Sequence, residues 1–234
     1  MPPWATRCRS TTTPAVRAGG GQPAVAQPRP RLPGLGRPRP DQPRPHPRLV
    51  LLAGDGATSA TVAGEQLGRL RRLGSAPTVA TMTMGGNDLL VAYGDARAAR
   101  RAITTVNDNG RLVLGGLRAL MGADAPIVVA TVYDPSDGSG DAGRLGLPPW
   151  PEALALLAEL NRVLGMLAED HRALVADVHA RFLGHGLAAG DPTQPAARPR
   201  DRGLWYCRLI EPNAWGASQI RASFWEALQR ARTE

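Results

Sequence analysis

The feature that most constrains the fold is an alternation of short apolar runs with longer stretches of helical periodicity. The apolar runs fit buried strands, and the intervening stretches place apolar residues on one helical face. Strand-helix alternation of this kind predicts an α/β protein, a three-layer α/β/α sandwich whose parallel sheet is covered on both faces. The predicted strands are 49–53, 77–84, 127–133 and 173–178. The predicted helices are 61–73, 95–121 (continuous or broken near 107–110), 151–170 and 214–232.

The first 47 residues have a different composition from the rest of the chain. They hold 12 of the 22 prolines, a run of three glycines at 19–21 and a series of Pro-Arg repeats. Such a segment buries too little apolar surface to offset the entropy lost on ordering. We therefore predict a disordered segment at 1–47 and an α/β domain at 48–234.

The formal net charge of +8 lies in this segment together with Arg48, the residue that follows it. Residues 1–48 contain nine Arg and one acidic residue, whereas the remainder contains 19 Arg and 19 acidic residues. A basic arm for nucleic acid is one interpretation, but the neutral folded part favours no nucleic-acid partner. No run is long enough to span a membrane and no secretory signal is visible, so we expect a cytoplasmic protein. The oligomeric state cannot be read from the sequence.

The second predicted strand ends abruptly at Gly85, Gly86, Asn87 and Asp88. In open α/β sheets, ligands bind at this carboxyl edge. Two adjacent glycines let the backbone approach a ligand closely, and an Asn amide is a neutral donor that can face an oxyanion. The alternative interpretation is a plain strand-to-helix turn with Asp88 as the N-cap.

This Gly-Gly-Asn-Asp element resembles the third motif of the SGNH (GDSL-like) hydrolase superfamily. Gly56, after an earlier apolar run, and the segment 210–216, at the start of the last helix, extend the resemblance to about 48–232. It implies a flavodoxin-like sheet and a serine esterase that hydrolyses small-molecule carboxylic esters without a cofactor. Gly56 and Asn87 then match the oxyanion-hole donors, with Gly85, Gly86 and Asp88 beside the ligand.

The last motif departs from the family pattern at the catalytic base. The family's Asp-x-x-His falls on Arg208 and Glu211. A carboxylate with an ordinary pKa near 4.3 is a poor base at neutral pH, and a nearby Arg lowers that pKa further. His185, from a neighbouring loop, is the alternative base. Both side chains also have a purely structural interpretation, Glu211 as an acid favoured by the helix dipole.

The nucleophile motif, Gly-Asp-Ser, is missing from the chain. Gly54 and Gly85 are 31 residues apart, a spacing typical of the second and third motifs, so the first should lie upstream, within 1–47. Codons for Trp4–Cys8, read two bases later, can encode Gly-Asp-Ser-Met. We hypothesise that 1–47 are a frame-shifted translation and that this chain is impaired in hydrolysis. The alternative is a non-catalytic member that binds an acyl or glycan ligand.

Two loops are long enough to shape a binding site rather than merely connect elements. The first spans 134–148 and is rich in Gly, Asp, Ser and Pro. The second spans 184–203 and is polar. We expect both to border the ligand, although nothing in their composition names it.

Overall fold

A computed structural model describes residues 48–141, 143, 146–193, 203–207 and 210–231. The predictions made for 1–47 and for Arg208 lie outside the described residues. The fold presented below belongs to the compact unit that contains the chain from Leu52 onward. None of the helices described in these ranges combines the length and the apolarity needed to cross a membrane.

Three short parallel strands form the sheet, in the order β1-β2-β3. Their bounds are β1 Ala80–Met82, β2 Ile127–Ala130 and β3 Leu174–Ala176. Met82 lies beside Val129, which lies beside Val175. The parallel sheet confirms the predicted α/β class, and each of these strands is shorter than the apolar run that predicted it.

Seven α-helices and one π-helical segment are described. Before β1 lie α1 Ser59–Thr61, the π-helical segment Val62–Gln66 and α2 Leu67–Arg71. Between β1 and β2 lie α3 Gly86–Val91 and α4 Ala96–Met121. The helix α5 Ala153–Asp170 precedes β3, and α6 Val178–Phe182 and α7 Ala214–Arg230 follow it.

The central strand β2 separates two apolar clusters, because successive side chains of a strand point to opposite faces. Ile127 and Val129 pack in the cluster that contains the buried faces of α4 and α5. Val128 and Ala130 pack in the cluster that contains Phe182 and the residues of α7. All four strand residues are buried. Helices therefore cover both faces, which confirms the three-layer arrangement.

The predicted strand at 49–53 is wrong. These residues form no strand, and the side chains of Leu49 and Leu51 are 87% and 74% exposed. An apolar run becomes a strand only where a neighbouring strand can pair its backbone groups. Among the described residues, β1, β2 and β3 pair only with one another.

The helix α4 runs unbroken through Asn107–Gly110, so the version of the prediction with a break there is wrong. Tertiary contacts explain why these weak helix formers remain helical. Asn109 Nδ2 donates a hydrogen bond to Ser59 Oγ at 3.0 Å. A Cβ on Gly110 would lie 2.4 Å from Leu167 Cδ1, so glycine is what lets α4 and α5 pack closely.

Candidate functional site

A cavity of about 460 Å³ opens at the carboxyl ends of β1 and β2. The segments that follow the two strands, 83–87 and 131–136, form one part of its wall. Helix α3, the first turns of α5 and the residues Gly54 and Ala57 contribute other parts of the wall. Parallel α/β sheets bind ligands at this edge, and the cavity falls within the volume range of ordinary ligand sites.

Gly85 and Gly86 bring the backbone of β1 to the cavity wall. Gly85 is the N-cap of α3 and has a φ of 97°, in the left-handed region that favours glycine. A Cβ at this position would lie 2.9 Å from Leu160 Cδ1. Because α3 begins at Gly86, the alternative interpretation of Asp88 as its N-cap is wrong.

Asn87 contributes its side-chain amide to the same wall. Its Nδ2 donates a hydrogen bond to the carbonyl oxygen of Ala57 at 2.9 Å. This bond fixes the orientation of the amide and uses one of its two N–H groups. The other N–H is the group that the predicted oxyanion role requires.

Gly56 lies in the turn that approaches Asn87. It has a φ of 71° and is exposed, and the turn is closed by a bond from Ala57 N to Gly54 O at 3.3 Å. Gly54 and Ala57 line the cavity, but Gly56 does not. The structure thus places the predicted donor Gly56 between two cavity residues and leaves its oxyanion role a prediction.

Asp88 points away from the cavity and holds the start of the first helix. Its carboxylate accepts hydrogen bonds from Ser59 N at 2.9 Å and from Ser59 Oγ at 2.6 Å. Ser59 is fully buried and also accepts the bond from Asn109. Asp88 does not line the cavity, and its predicted ligand contact stays a prediction. The sequence analysis did not single out Ser59, although a Ser just before a helical pattern is a known helix-start signal.

The two candidate bases do not line this cavity. His185 is fully buried, stacks on the indole of Trp205 with 3.4 Å between ring centroids, and places Nδ1 2.7 Å from Gly203 O. It borders a separate cleft beside α6 and α7. Glu211 is exposed, and only its neighbours Ile210 and Pro212 line the cavity. The role of either residue as a base stays a prediction.

Asp134 and Ser136 line the cavity and were not singled out by the sequence analysis as site residues. Ser136 Oγ donates to Asp134 Oδ1 at 2.7 Å, and Asp134 also accepts from the backbone of Ser136 and of Gly138, at 2.8 and 2.6 Å. The Asp-Pro-Ser-Asp-Gly sequence is a turn signal. These polar groups stabilise the loop and leave little capacity for a ligand.

Asp137 joins the two loops that were predicted to border the ligand. Its buried carboxylate accepts hydrogen bonds from Gly184 N at 3.0 Å and from Gly186 N and Ala188 N, both at 2.8 Å. Burial raises the pKa of this carboxyl above its ordinary value, while the three N–H donors oppose that rise. The carboxylate therefore fixes the second loop against the first.

One half-buried tyrosine, Tyr133, and one buried tyrosine, Tyr206, lie next to this region. Tyr133 lines the cavity and donates its hydroxyl to Ile210 O at 2.9 Å. Burial, with a smaller contribution from the charge of Glu211, raises the pKa of Tyr133 to about 12. Burial also raises the pKa of Tyr206, whose hydroxyl has no hydrogen-bond partner among the described residues.

We expect the free energy of unfolding to fall between pH 10 and pH 12. Below pH 10, Tyr133 is protonated in both the folded and the unfolded chain. Between its unfolded pKa of 10.0 and its folded pKa of about 12, the unfolded chain releases a proton that the folded chain retains. Tyr133 alone contributes a loss of about 2 kcal/mol, measurable by urea unfolding at several pH values.

The variants Tyr133→Phe and Tyr206→Phe test the source of this loss. Each should reduce the pH dependence, and Tyr206→Phe should do so without loss of stability at pH 7, because its hydroxyl is buried without a partner among the described residues. An alkaline loss that is unchanged in both variants would contradict the assignment.

The described residues contain no group of three or more His, Cys, Asp or Glu side chains that could hold a metal ion. The polar groups of the described cavity wall are hydroxyls, amides, backbone groups and the carboxylate of Asp134.

Comparison with known proteins gave matches among solved structures only. No family model matches the sequence, and no curated protein does. The chain is similar to a protein assigned as a GDSL-like lipase from Parabacteroides merdae, at 16% identity and a TM-score of 0.49, over 74% of this chain and 68% of that one. It is also similar to an acetylxylan esterase from Geobacillus stearothermophilus, at 17% identity and a TM-score of 0.47, over 74% of this chain and 68% of that one. A third similar structure is phospholipase A1 from Streptomyces albidoflavus, at 24% identity and a TM-score of 0.47, over 72% of this chain and 76% of that one.

Proposed function

We propose that this chain carries the acyl-ester site of an SGNH-type serine hydrolase. The observation that supports this most directly is the cavity at the carboxyl ends of β1 and β2, with the Asn87 amide in its wall. Gly85 and Gly86 line the same wall as that amide, and the left-handed φ of Gly85 forms the turn that places Asn87 there. Of the residues that carry the sequence resemblance, Gly85, Gly86 and Asn87 thus border one concave site, whereas Gly56 and Glu211 do not line it.

The proposed reaction is the attack of a serine hydroxyl on an ester carbonyl. Negative charge develops on the carbonyl oxygen, and a fixed donor aimed at that oxygen stabilises the transition state. Asn87 is the proposed donor, because its amide is already held by the bond to Ala57 and needs no reorientation during the reaction. Backbone N–H groups of the turn at 54–57 are the proposed second donors.

The chain as it stands is proposed to hydrolyse esters poorly. Among the described residues of the cavity wall there is no His, and two of the hydroxyl groups are already engaged. Ser136 Oγ donates to Asp134, and Thr131 Oγ1 donates to Asp177 at 3.1 Å. The proposed nucleophile is the serine that a shifted reading of the codons for Trp4–Cys8 would restore.

A second candidate function is ligand binding without catalysis. The exposed position of Glu211, which occupies the place of the family's His but does not line the cavity, favours it. A non-catalytic protein would keep the cavity and the Asn87 amide and would need neither nucleophile nor base.

The test compares the chain with a version whose first 47 residues are replaced by the alternative-frame translation of its own coding DNA. We expect the restored protein to hydrolyse p-nitrophenyl esters at least about 100-fold faster than the chain, in a manner abolished by a serine-reactive fluorophosphonate. In the restored protein, Asn87→Ala should lower kcat by about 10² to 10³.

The control is Asn107→Ala, which removes an amide on α4, away from the cavity wall, and should leave kcat unchanged. A restored protein that shows no serine-dependent turnover would contradict the hydrolase proposal. Coding DNA in which the codons for Trp4–Cys8 cannot be read as Gly-Asp-Ser would exclude the frame shift.

A further inference from the structure

We infer that the cavity accepts an uncharged acyl chain of medium length and excludes sugars and anionic groups. The inference rests on the proposed function for the position of the ester, and concerns the group that the ester carries. Its basis is the chemistry of the cavity wall, beginning with six of its apolar side chains: Leu89, Leu90, Tyr93, Trp150, Leu154 and Leu157.

These apolar side chains come from three segments that are held together around the cavity. Leu89 and Leu90 belong to α3, Leu154 and Leu157 to α5, and Trp150 to the segment before α5. The rings of Tyr93 and Trp150 meet edge to face with 4.8 Å between centroids. Tyr93 also donates its hydroxyl to Pro148 O at 2.8 Å, so the segment before α5 is fixed against the end of α3.

The polar groups of the wall are largely committed to the protein. The hydroxyls of Tyr93, Tyr133 and Ser136 donate to protein oxygens at 2.8, 2.9 and 2.7 Å. Among the described lining residues, Asn87, Gln66, Thr83 and Trp150 remain as side chains with an N–H or O–H group that makes no hydrogen bond within the protein. Four such donors suffice to hold one ester carbonyl, but are fewer than the polar groups of a disaccharide.

The charge of the wall also excludes an anionic ligand. The described lining residues include no Arg or His, and the only charged one is Asp134. A phosphate or carboxylate placed here would lose its hydration without gaining a cation, which costs several kcal/mol. An uncharged aliphatic chain has no such desolvation cost, and its transfer from water into the apolar cavity is favourable.

The volume sets the length of that chain. A cavity of about 460 Å³ holds roughly 15 groups of the size of a water molecule, at about 30 Å³ each. A methylene group is similar in size, and the ester and imperfect filling take part of the space. We therefore expect acyl chains of about eight to twelve carbons to fill the cavity, and acetyl to leave most of it unfilled.

The experiment measures binding of N-methyl alkanamides with 2 to 16 acyl carbons to the chain, by calorimetry and by tryptophan fluorescence. Affinity should rise about fourfold for each added methylene up to about 8 to 12 carbons and then level off or fall. Xylobiose and inorganic phosphate should not bind. Affinity that does not depend on chain length, or binding of xylobiose in its place, would overturn the inference.

Two matched variants test whether the acyl chain of the amide occupies the cavity. Ala153→Leu enlarges a small side chain of the wall and should shorten the best-bound amide by about two to four carbons. Ala155→Leu places the same side chain on the exposed face of α5 and should change nothing. If Ala153→Leu does not fold, Leu154→Ala should instead lengthen the best-bound amide, and an unshifted optimum in that variant would contradict the placement.

The amides need neither nucleophile nor base, so the two proposals fail separately. If amide binding depends on chain length but the frame-restored protein does not turn over esters, the hydrolase proposal is contradicted and the inference of an acyl-binding cavity is supported. Turnover of acetyl esters without any binding of longer amides would leave the hydrolase proposal and remove this inference.

Discussion

Replacement of Asp137 by alanine is expected to lower the free energy of unfolding by about 3–6 kcal/mol. The carboxylate accepts hydrogen bonds from three backbone N–H groups, those of Gly184, Gly186 and Ala188. Each buried donor left without an acceptor costs about 1–3 kcal/mol. Asp137 also has a φ of 53°, which alanine adopts at a further cost of about 1 kcal/mol.

Asp137→Gly separates the two contributions, because glycine tolerates the positive φ but supplies no acceptor. It should lose only slightly less stability than the alanine variant. Asp141→Ala, in the same loop, removes a single bond to the exposed Gly143 N and should cost less than about 1 kcal/mol. Urea unfolding followed by circular dichroism measures all three. Equal losses at positions 137 and 141 would show that the three donors find other partners.

The second large effect is expected for Asp88→Ala, at about 2–4 kcal/mol. The carboxylate accepts from both the backbone N–H and the hydroxyl of Ser59, which is fully buried. Without it, the N–H at the start of α1 loses its acceptor, and the hydroxyl keeps only its bond from Asn109. A buried donor that cannot reach water carries most of the expected cost.

Asp124→Ala is the control, since Asp124 is exposed and no hydrogen bond to its side chain is seen among the described residues. It should change the free energy of unfolding by less than about 0.5 kcal/mol. Asp88→Asn keeps one acceptor oxygen, so its loss of unfolding free energy should lie between those of Asp88→Ala and Asp124→Ala. If Asp88 contacted only a ligand, which is one of the two roles that the sequence suggested, the unfolding free energy of Asp88→Ala would equal that of Asp124→Ala.

The strands and long helices could be predicted because their signals are local. The run at 127–133 is apolar throughout, and β2 is buried on both faces, as such a run requires. The run at 49–53 has the same local signal but forms no strand. Whether a strand forms depends on a partner that may be far away in the sequence, and a local pattern contains no information about that partner.

In the candidate site, the backbone conformation of the glycines could be predicted from the sequence more reliably than the directions of the neighbouring side chains. Gly85 has the positive φ that two adjacent glycines suggest, and Asn87 reaches the cavity. The neighbouring Asp88 turns inward to Ser59, 29 residues away in the sequence. Adjacent residues on a helix point in directions about 100° apart, so one can face a ligand while the next faces the core.

The sheet has two outer strands, β1 and β3, and β1 illustrates what an open margin implies. In the part of the chain that the structure describes, β1 is paired on one side only, by β2. Its other side presents N–H and C=O groups to no described strand, and Val79, just before it, is 44% exposed. Unpaired margins of this kind are where the sheets of separate molecules join into aggregates. We therefore expect the outer edge of β1, and not only the surface charge, to influence how readily separate molecules associate.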